Sequence, residues 1–351
     1  MNHLGSELGS VCIIGNGLIG GSLLRDLAAR GVRVFGSTHS EAAAARAVAE
    51  GFEVSSSLID VLSRAESELA LIVVAVPFDA VASVLDAIAE HAPSCGVTDV
   101  VSVKAPVQEL VAQRGMRERY VGGHPMAGTA ESGWAATQTG LFQGAAWVVA
   151  YDYARECAEA GPSAGQGAGG RVPDSWVRVF GQVCRMVALV GAEAVPVTAR
   201  KHDETVARIS HLPHVIAEAL AVTGDRGGPM AQSLAAGSFA GATRVAGTRP
   251  ALVGNMCETN ATPLVEVLDE YIALLNDARA TLAGNPPSMQ ALAEAGHTAH
   301  ERMSARSGAR RESVSPVAVS SRPVMRVHPG APGWVAQLEQ IEALGGRVEV
   351  F

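Results

Sequence analysis

Residues 11–24 hold the pattern that most narrows the folds open to this chain. Val11-Cys12-Ile13-Ile14 is a short apolar run of the kind that forms a buried strand. Gly15-Asn16-Gly17-Leu18-Ile19-Gly20 follows at once, then a helical stretch to about Ala29 and a second strand over residues 32–36. Strand, GxGxxG turn, helix and strand make the βαβ unit of a dinucleotide-binding domain. Gly15 permits the tight turn, Gly17 lets the backbone approach a pyrophosphate, and Gly20 lets helix and strand pack closely. The helix N-terminus then faces the anion. Asn16, Leu18 and Ile19 lie in the same loop and complete the predicted cofactor cradle.

The end of the second strand bears on which dinucleotide is bound. An acid there holds the adenosine ribose in NAD sites. This chain has Ser37, Thr38, His39 and Ser40 instead. A carboxylate would repel the extra phosphate of NADP, whereas hydroxyls and a histidine would not. The cofactor is therefore NAD or NADP, with the missing acid tilting toward NADP or dual use; the other reading is that NAD binds without that acid.

The alternation continues as a doubly wound sheet. Residues 42–50 form a helix of small side chains. Residues 69–76 (LALIVVAV) are a near-continuous apolar run, typical of a parallel strand covered on both faces, and Pro77 ends it after Val76. A helix begins near Asp79. Strands follow over 97–103, ending in Ser102-Val103-Lys104, over 120–123, with His124 at the tip, and over 146–151. On this reading the glycine loop, Pro77, Ser102 and His124 all fall on the carboxyl edge, where ligands bind in open α/β sheets. His124 lies between Gly122-Gly123 and Pro125. It is either a strand cap or a general base that titrates near neutral pH, and the shared edge argues for the base. The predicted dinucleotide-binding domain covers 1–152.

A chain of 351 residues suggests two or three domains. Hydrophobic residues make up 48% and aromatics 4%, so aliphatic side chains must fill the core. A formal net charge of −8 argues against a nucleic-acid-binding surface. The apolar runs are too short to span a bilayer, so no membrane association is expected, and no secretory leader is read at the N-terminus. Five scattered cysteines without a CxxC pair fit free thiols in a reducing cytoplasm.

Residues 155–172 are Gly/Ala-rich and aperiodic, as in a flexible surface insertion. An amphipathic helix over 174–190 and a short strand over 194–197 follow. Helices over 199–221, 229–236, 249–259 and 261–283 then predict an all-helical domain, taken as 173–298. It carries Ser210-His211-Leu212-Pro213-His214. The two histidines share a helical face, Pro213 loosens the helix, and no metal is predicted because His202 is a poor third ligand. Arg244, in the Gly/Ala-rich stretch beside Gly237 and Gly241, either holds a carboxylate bidentately or pairs with Glu218, Glu258 or another acid. Residues 300–315 read as a polar, Arg-rich connector. Residues 316–351 read as a strand–helix–strand tail that must pack on the body or on a partner. The fold class is α/β: an N-terminal Rossmann-type doubly wound sheet, an all-helical C-terminal domain and a small βαβ-like tail.

GNGLIGGS (15–22), AVP (75–77), TDVVSVK (98–104), GGHPMAGT (122–129), SHLPH (210–214) and TRVAG (243–247) occur in the order seen in the prephenate/arogenate dehydrogenase family of tyrosine biosynthesis, which this chain resembles over about residues 10–280. HPMAG with SVK is the specific part, and the tail resembles that of one branch of the family. The resemblance implies NAD(P)-dependent oxidative decarboxylation of a small molecule, prephenate or arogenate, to 4-hydroxyphenylpyruvate or tyrosine. In it His124 takes the hydroxyl proton and Ser102 orients His124. Arg244 holds a substrate carboxylate, and His214, Ser210, His211 and Thr129 line the pocket. It also implies a homodimer through the helical domain. Two positions depart from the family: Ala130 stands where a glutamate is common, with Glu131 next to it, and Gly241 where an aspartate is common. Competing readings are another two-domain dehydrogenase of the β-hydroxyacid or imine-reducing kind, or a redox-sensing NAD(P)-binding protein without turnover.

Overall fold

The computed structural model describes residues 8–129, 131–160, 171–307 and 322–351. The chain divides into two compact units, Met1–His202 with Pro323–Phe351, and Asp203–Arg322.

The first unit is built on a six-stranded parallel sheet. Its elements are β1 (Val11–Ile14), α1 (Leu18–Ala29), β2 (Val34–Ser37), α2 (Glu41–Ala49), β3 (Glu53–Ser55), α3 (Leu58–Glu68), β4 (Leu71–Val74), α4 (Phe78–His91), β5 (Val97–Asp99), α5 (Ala105–Gln113) and β6 (Tyr120–Val121). The order β3-β2-β1-β4-β5-β6 is that of a Rossmann sheet. Strands β1 and β4 are buried along their whole length, as expected of central strands covered on both faces. Strand β3 and helix α3 lie in a polar stretch that the sequence reading left unassigned.

The next strands do not continue this sheet. Strand β7 (Gly123–Pro125) pairs antiparallel with β8 (Ala146–Ala150), which pairs parallel with β9 (Glu193–Val197). His124 therefore lies inside a strand of a second, three-stranded sheet, opposite Val148, rather than at the tip of β6. The switch happens at Gly122-Gly123. A side chain on Gly123 would sit 2.7 Å from the Asp99 carbonyl and 3.0 Å from the Trp147 indole nitrogen, so the chain can pass here only without a Cβ.

Helix α6 (Asp152–Glu159) occupies the start of the stretch expected to be an insertion; residues 161–170 of it lie outside the described residues. Helix α7 (Asp174–Leu189) and β9, expected to open the helical domain, belong to the first unit. The tail does too. Strands β10 (Val324–Val327) and β11 (Arg347–Val350) pair in parallel, joined by α15 (Trp334–Leu344). Trp334 packs against Trp176 and Phe180 of α7, with ring centroids 6.1 and 5.5 Å away. Glu342 accepts hydrogen bonds from the Tyr151 hydroxyl (2.5 Å) and from Thr198 through its N–H (3.0 Å) and hydroxyl (3.1 Å).

Helix α8 (Ala199–Val206) leads into the second unit, where a π-helical turn (Ala207–His211) precedes α9 (Leu212–Asp225). The wider turn comes just before Pro213, which has no N–H to continue the α ladder. Then come α10 (Gly228–Leu234), α11 (Gly237–Thr243), a 3₁₀ turn (Arg244–Gly247), α12 (Pro250–Thr259), α13 (Ala261–Leu282) and α14 (Gln290–Ser307). Helix α14 takes in the start of the stretch expected as a connector; residues 308–315 lie outside the described residues. Among the described residues, Ala207, Leu212, Leu264 and Val267 form the unit's buried cluster, and Val206, Ala217 and Met256 are buried as well. No described helix is long and apolar enough to cross a membrane.

Candidate active site

The glycine loop leaves β1 and enters α1. Gly15 has φ +99°, and a Cβ there would collide with the Ala75 carbonyl and lie 2.9 Å from Val76. The end of β4, with Val76 and the exposed Pro77, thus borders the turn. Gly17 is the residue before α1, and a Cβ there would meet nothing within 4 Å, so its backbone faces open space. No side chain caps the first turn of α1, and no acidic residue lies in it. The leading N–H groups and the positive end of the helix dipole are thus kept for an anion. Asn16 is 2% exposed; its amide donates to the Ser37 carbonyl (3.2 Å), while its buried Oδ1 has no hydrogen-bond partner among the described residues. Gly20 and Leu18 are buried, and Ile19 is half-buried against the core. An open glycine, an uncapped helix start and an orphaned buried acceptor fit a dinucleotide.

Ser37 and Thr38 are buried at the end of β2 and His39 is exposed. The Ser40 hydroxyl accepts from the Ala43 N–H and caps α2, whose first turn carries Glu41. The strand end therefore offers hydroxyls and an imidazole, and the nearest acid in the chain is already on the helix.

His124 is half-buried, and the backbone beside it rests on a buried polar network. Lys104 is 0% and Asp99 1% exposed, and the two form an ion pair. Lys104 also donates to the Gly123 carbonyl (2.6 Å). Asp99 accepts from the Val101 N–H (2.8 Å) and the Tyr120 hydroxyl (2.5 Å). The network thus ties the loop after β5 to the residue before His124. The Nδ1 of His124 lies 2.9 Å from the Nε2 of His202, with the rings nearly perpendicular at 76°. Ser102 is half-buried in the loop between Asp99 and Lys104. Thr129 is exposed, and its hydroxyl accepts from the Glu131 N–H (3.3 Å); Ala130 lies outside the described residues.

The sequence reading missed Asp99, Lys104 and Tyr120 as supports, and weighed His202 only as a metal ligand. The SVK motif was a signal for Lys104. Nothing local links residue 202 to residue 124. Among the described residues, no group of three or more His, Cys, Asp or Glu is gathered for a metal ion.

In the second unit, Ser210 and His211 lie within the π-helical turn and His214 in α9. His211 is 1% exposed and accepts from the Asn260 amide (3.0 Å), which also donates to the Asp203 carbonyl (2.9 Å). His211 therefore faces the core of the unit, not the open side expected of a pocket residue. His214 is half-buried; its Nδ1 donates to the Ser210 carbonyl (2.9 Å), and its Nε2 lies 3.5 Å from the Thr248 hydroxyl. The 3₁₀ turn opened by Arg244 packs on α9, the helix of His214. Arg244 is exposed, and among the described residues no ion pair joins it to Glu218 or Glu258.

A family model described as the prephenate dehydrogenase nucleotide-binding domain matches residues 23–156, and one described as the prephenate dehydrogenase dimerization domain matches 198–294. The cyclohexadienyl dehydrogenase of Zymomonas mobilis is 31% identical over 278 residues, 78% of this chain and 88% of that protein. The crystal structure of a candidate prephenate dehydrogenase from Corynebacterium glutamicum superposes with a TM-score of 0.87 at 48% identity, covering 98% of this chain and 99% of that one. An arogenate dehydrogenase structure from Synechocystis gives 0.66 at 25% identity, covering 84% and 99%.

Proposed function

The chain belongs to the prephenate dehydrogenase family, and from that premise we propose an NAD(P)-dependent oxidative decarboxylation with His124 as its general base. The observation that carries the role of His124 is its setting. Its ring is held at Nδ1 by His202, and its backbone rests on the Lys104–Asp99 pair, in the unit that also holds the glycine loop.

When bound, the nicotinamide supplies the acceptor for the hydride leaving the hydroxyl-bearing ring carbon. His124 takes the hydroxyl proton as that carbon becomes a carbonyl. Cleavage of the bond to the ring carboxylate releases CO2 and sends its electron pair through the ring to the carbonyl oxygen. That oxygen regains the proton from His124, and the ring is aromatic. Ser102 steadies His124. Arg244, which among the described residues makes no ion pair with Glu218 or Glu258, holds a substrate carboxylate, where a guanidinium fork suits two oxygens. His214, Ser210 and Thr129 bind substrate polar groups.

Prephenate is the preferred substrate. Ala130 and Gly241 leave no carboxylate at the two positions noted above, so neither offers a partner to the ammonium of arogenate. NADP+ is used as well as NAD+, because the end of β2 carries Ser37, Thr38 and His39 and no acid to repel a phosphate. The helical unit makes a homodimer. On α13, Val265, Ile272, Leu275 and Leu282 are spaced to form one exposed apolar stripe.

Steady-state kinetics with prephenate and arogenate, each with NAD+ and NADP+, test the reading. Turnover of prephenate with both cofactors is expected. Absence of reduced cofactor with either substrate would overturn the functional assignment. A higher kcat/KM for arogenate would overturn the specificity alone.

A further inference from the structure

We propose that His202 is a positioning residue that fixes the tautomer of His124, a role that rests on His124 being the base. Two imidazole nitrogens 2.9 Å apart share one hydrogen. If His202 Nε2 carries it, His124 Nδ1 is the acceptor, and the neutral His124 ring must carry its own proton on Nε2. That ring has no lone pair left for a substrate proton. If His124 Nδ1 carries it, His202 Nε2 accepts, and the lone pair of His124 is on Nε2. Only the second arrangement makes a base. It requires His202 to be neutral with its own proton on Nδ1.

Burial keeps His202 neutral, and of the two neutral arrangements only the one with the proton on His202 Nδ1 leaves His124 able to act as the base. His202 is 2% exposed, where a charged imidazolium is costly, while His124 is half-buried. When His124 takes the substrate proton, the positive charge stays on the more open ring. Its Nδ1–H then donates a charge-assisted hydrogen bond to His202, which strengthens as the charge develops.

The fold holds His202 in place for this. His202 stands in the first turns of α8, with its N–H donating to the Thr198 carbonyl at 2.8 Å. Two carboxylates pin that helix start. Asp152 accepts from the Ala199 N–H through both oxygens (3.1 and 3.0 Å) and is braced by the Gln108 amide (2.8 Å). Glu342, from the C-terminal tail, accepts from Thr198. A one-ångström shift of α8 would break a bond of this length, so the tail supports the orientation of the base from more than 200 residues away in the chain.

Nitrogen-15 NMR of the histidine rings in the unmodified full-length protein reads the tautomer directly. His124 is expected as the Nδ1–H form, assigned by loss of its signals in His124→Asn. A proton on Nε2 would overturn the proposal. In kinetics, His202→Leu is expected to lower kcat about 10²-fold, with cofactor affinity unchanged and the His124 ring shifted toward the Nε2–H form. His202→Gln, whose amide oxygen reaches the place of Nε2, is expected to restore kcat to within about tenfold of the unmodified protein. Wild-type turnover in His202→Leu together with an inactive His124→Asn would overturn the role of His202 alone. Wild-type turnover in both would overturn His124 as base, and this role with it.

Discussion

On either face of the parallel sheet, the first unit carries a large cluster of buried side chains. One cluster joins Val11, Leu23 and Val73 to Trp147, Trp176 and Trp334; the other joins Cys12, Ile72 and Val97 to Leu85, Ile88 and Tyr120. Its buried polar groups are largely paired, as in Lys104 with Asp99. In the second unit the one buried cluster is Ala207, Leu212, Leu264 and Val267, with Val206, Ala217 and Met256 buried beside it among the described residues. The unit exposes Val222, Met230, Leu234, Leu252, Val265, Ile272, Leu275 and Leu282. Exposed apolar surface on this scale marks an interaction face. The first unit is thus complete as a folded body, whereas the second has apolar area still to bury. The proposed base lies in the unit with the closed core, and the proposed dimer surface in the unit with exposed apolar area.

Substitutions in the first unit should therefore damage turnover or stability without changing mass in solution, and those on α13 the reverse. The largest effect is expected from His124→Asn, with kcat lower by about 10²–10⁴-fold and cofactor binding, followed by fluorescence titration, retained. Near-normal turnover would remove chemistry from this side of the comparison. Next is Lys104→Met, which leaves the Asp99 carboxylate buried and unpaired. Chemical denaturation should report a loss of about 3–5 kcal/mol, with partial recovery in Lys104→Met/Asp99→Asn. A loss confined to activity would show that the network serves His124 and not the fold.

In the second unit, Ile272→Glu/Leu275→Glu should weaken the proposed dimer by about 10²-fold or more and give monomers in light scattering at micromolar protein. An unchanged mass would place the dimer surface elsewhere. Arg244→Gln should raise the KM for prephenate about 10- to 100-fold, with a smaller change in the KM for cofactor. An equal rise in both would detach Arg244 from the substrate.

The smallest effect concerns pH. Burial pushes the Asp152 carboxyl up, against the lowering by its hydrogen bonds from Gln108 and Ala199. With the folded value above the unfolded one, the folded form binds the proton more tightly. Stability is then greatest below the unfolded value and falls as pH rises through the folded one. Asp152→Asn should flatten that slope in melting curves taken across the acid range. An unchanged slope would mean that another group sets it.

Legibility in the sequence followed the range of the interaction. The cradle at Gly15–Gly20 and the central strands β1 and β4 could be read because turn chemistry and apolar runs are local properties. The boundary at Val121 could not. Tyr120 to Gly123 reads as one strand with His124 at its tip, and only the closeness of Asp99 and Trp147 at Gly123 forces the change of sheet. His211 and His214 looked alike by helical spacing, yet Asn260, 49 residues on, draws His211 into the core. Helix α7 looked like the start of the helical domain because its apolar stripe does not state what it packs against.

By itself, then, the sequence determined that a dinucleotide loop opens a parallel sheet, that helices follow, and that His124 sits among glycines in a family-specific motif. These depend on residues within a few turns of one another. Only the tertiary structure decided that His124 lies in a second sheet, that the tail closes on α7 and α8, and that His202 meets His124. Such pairings join residues 24 or more apart, 78 in the case of His124 and His202, and contacts at that separation leave no periodicity in the chain to read.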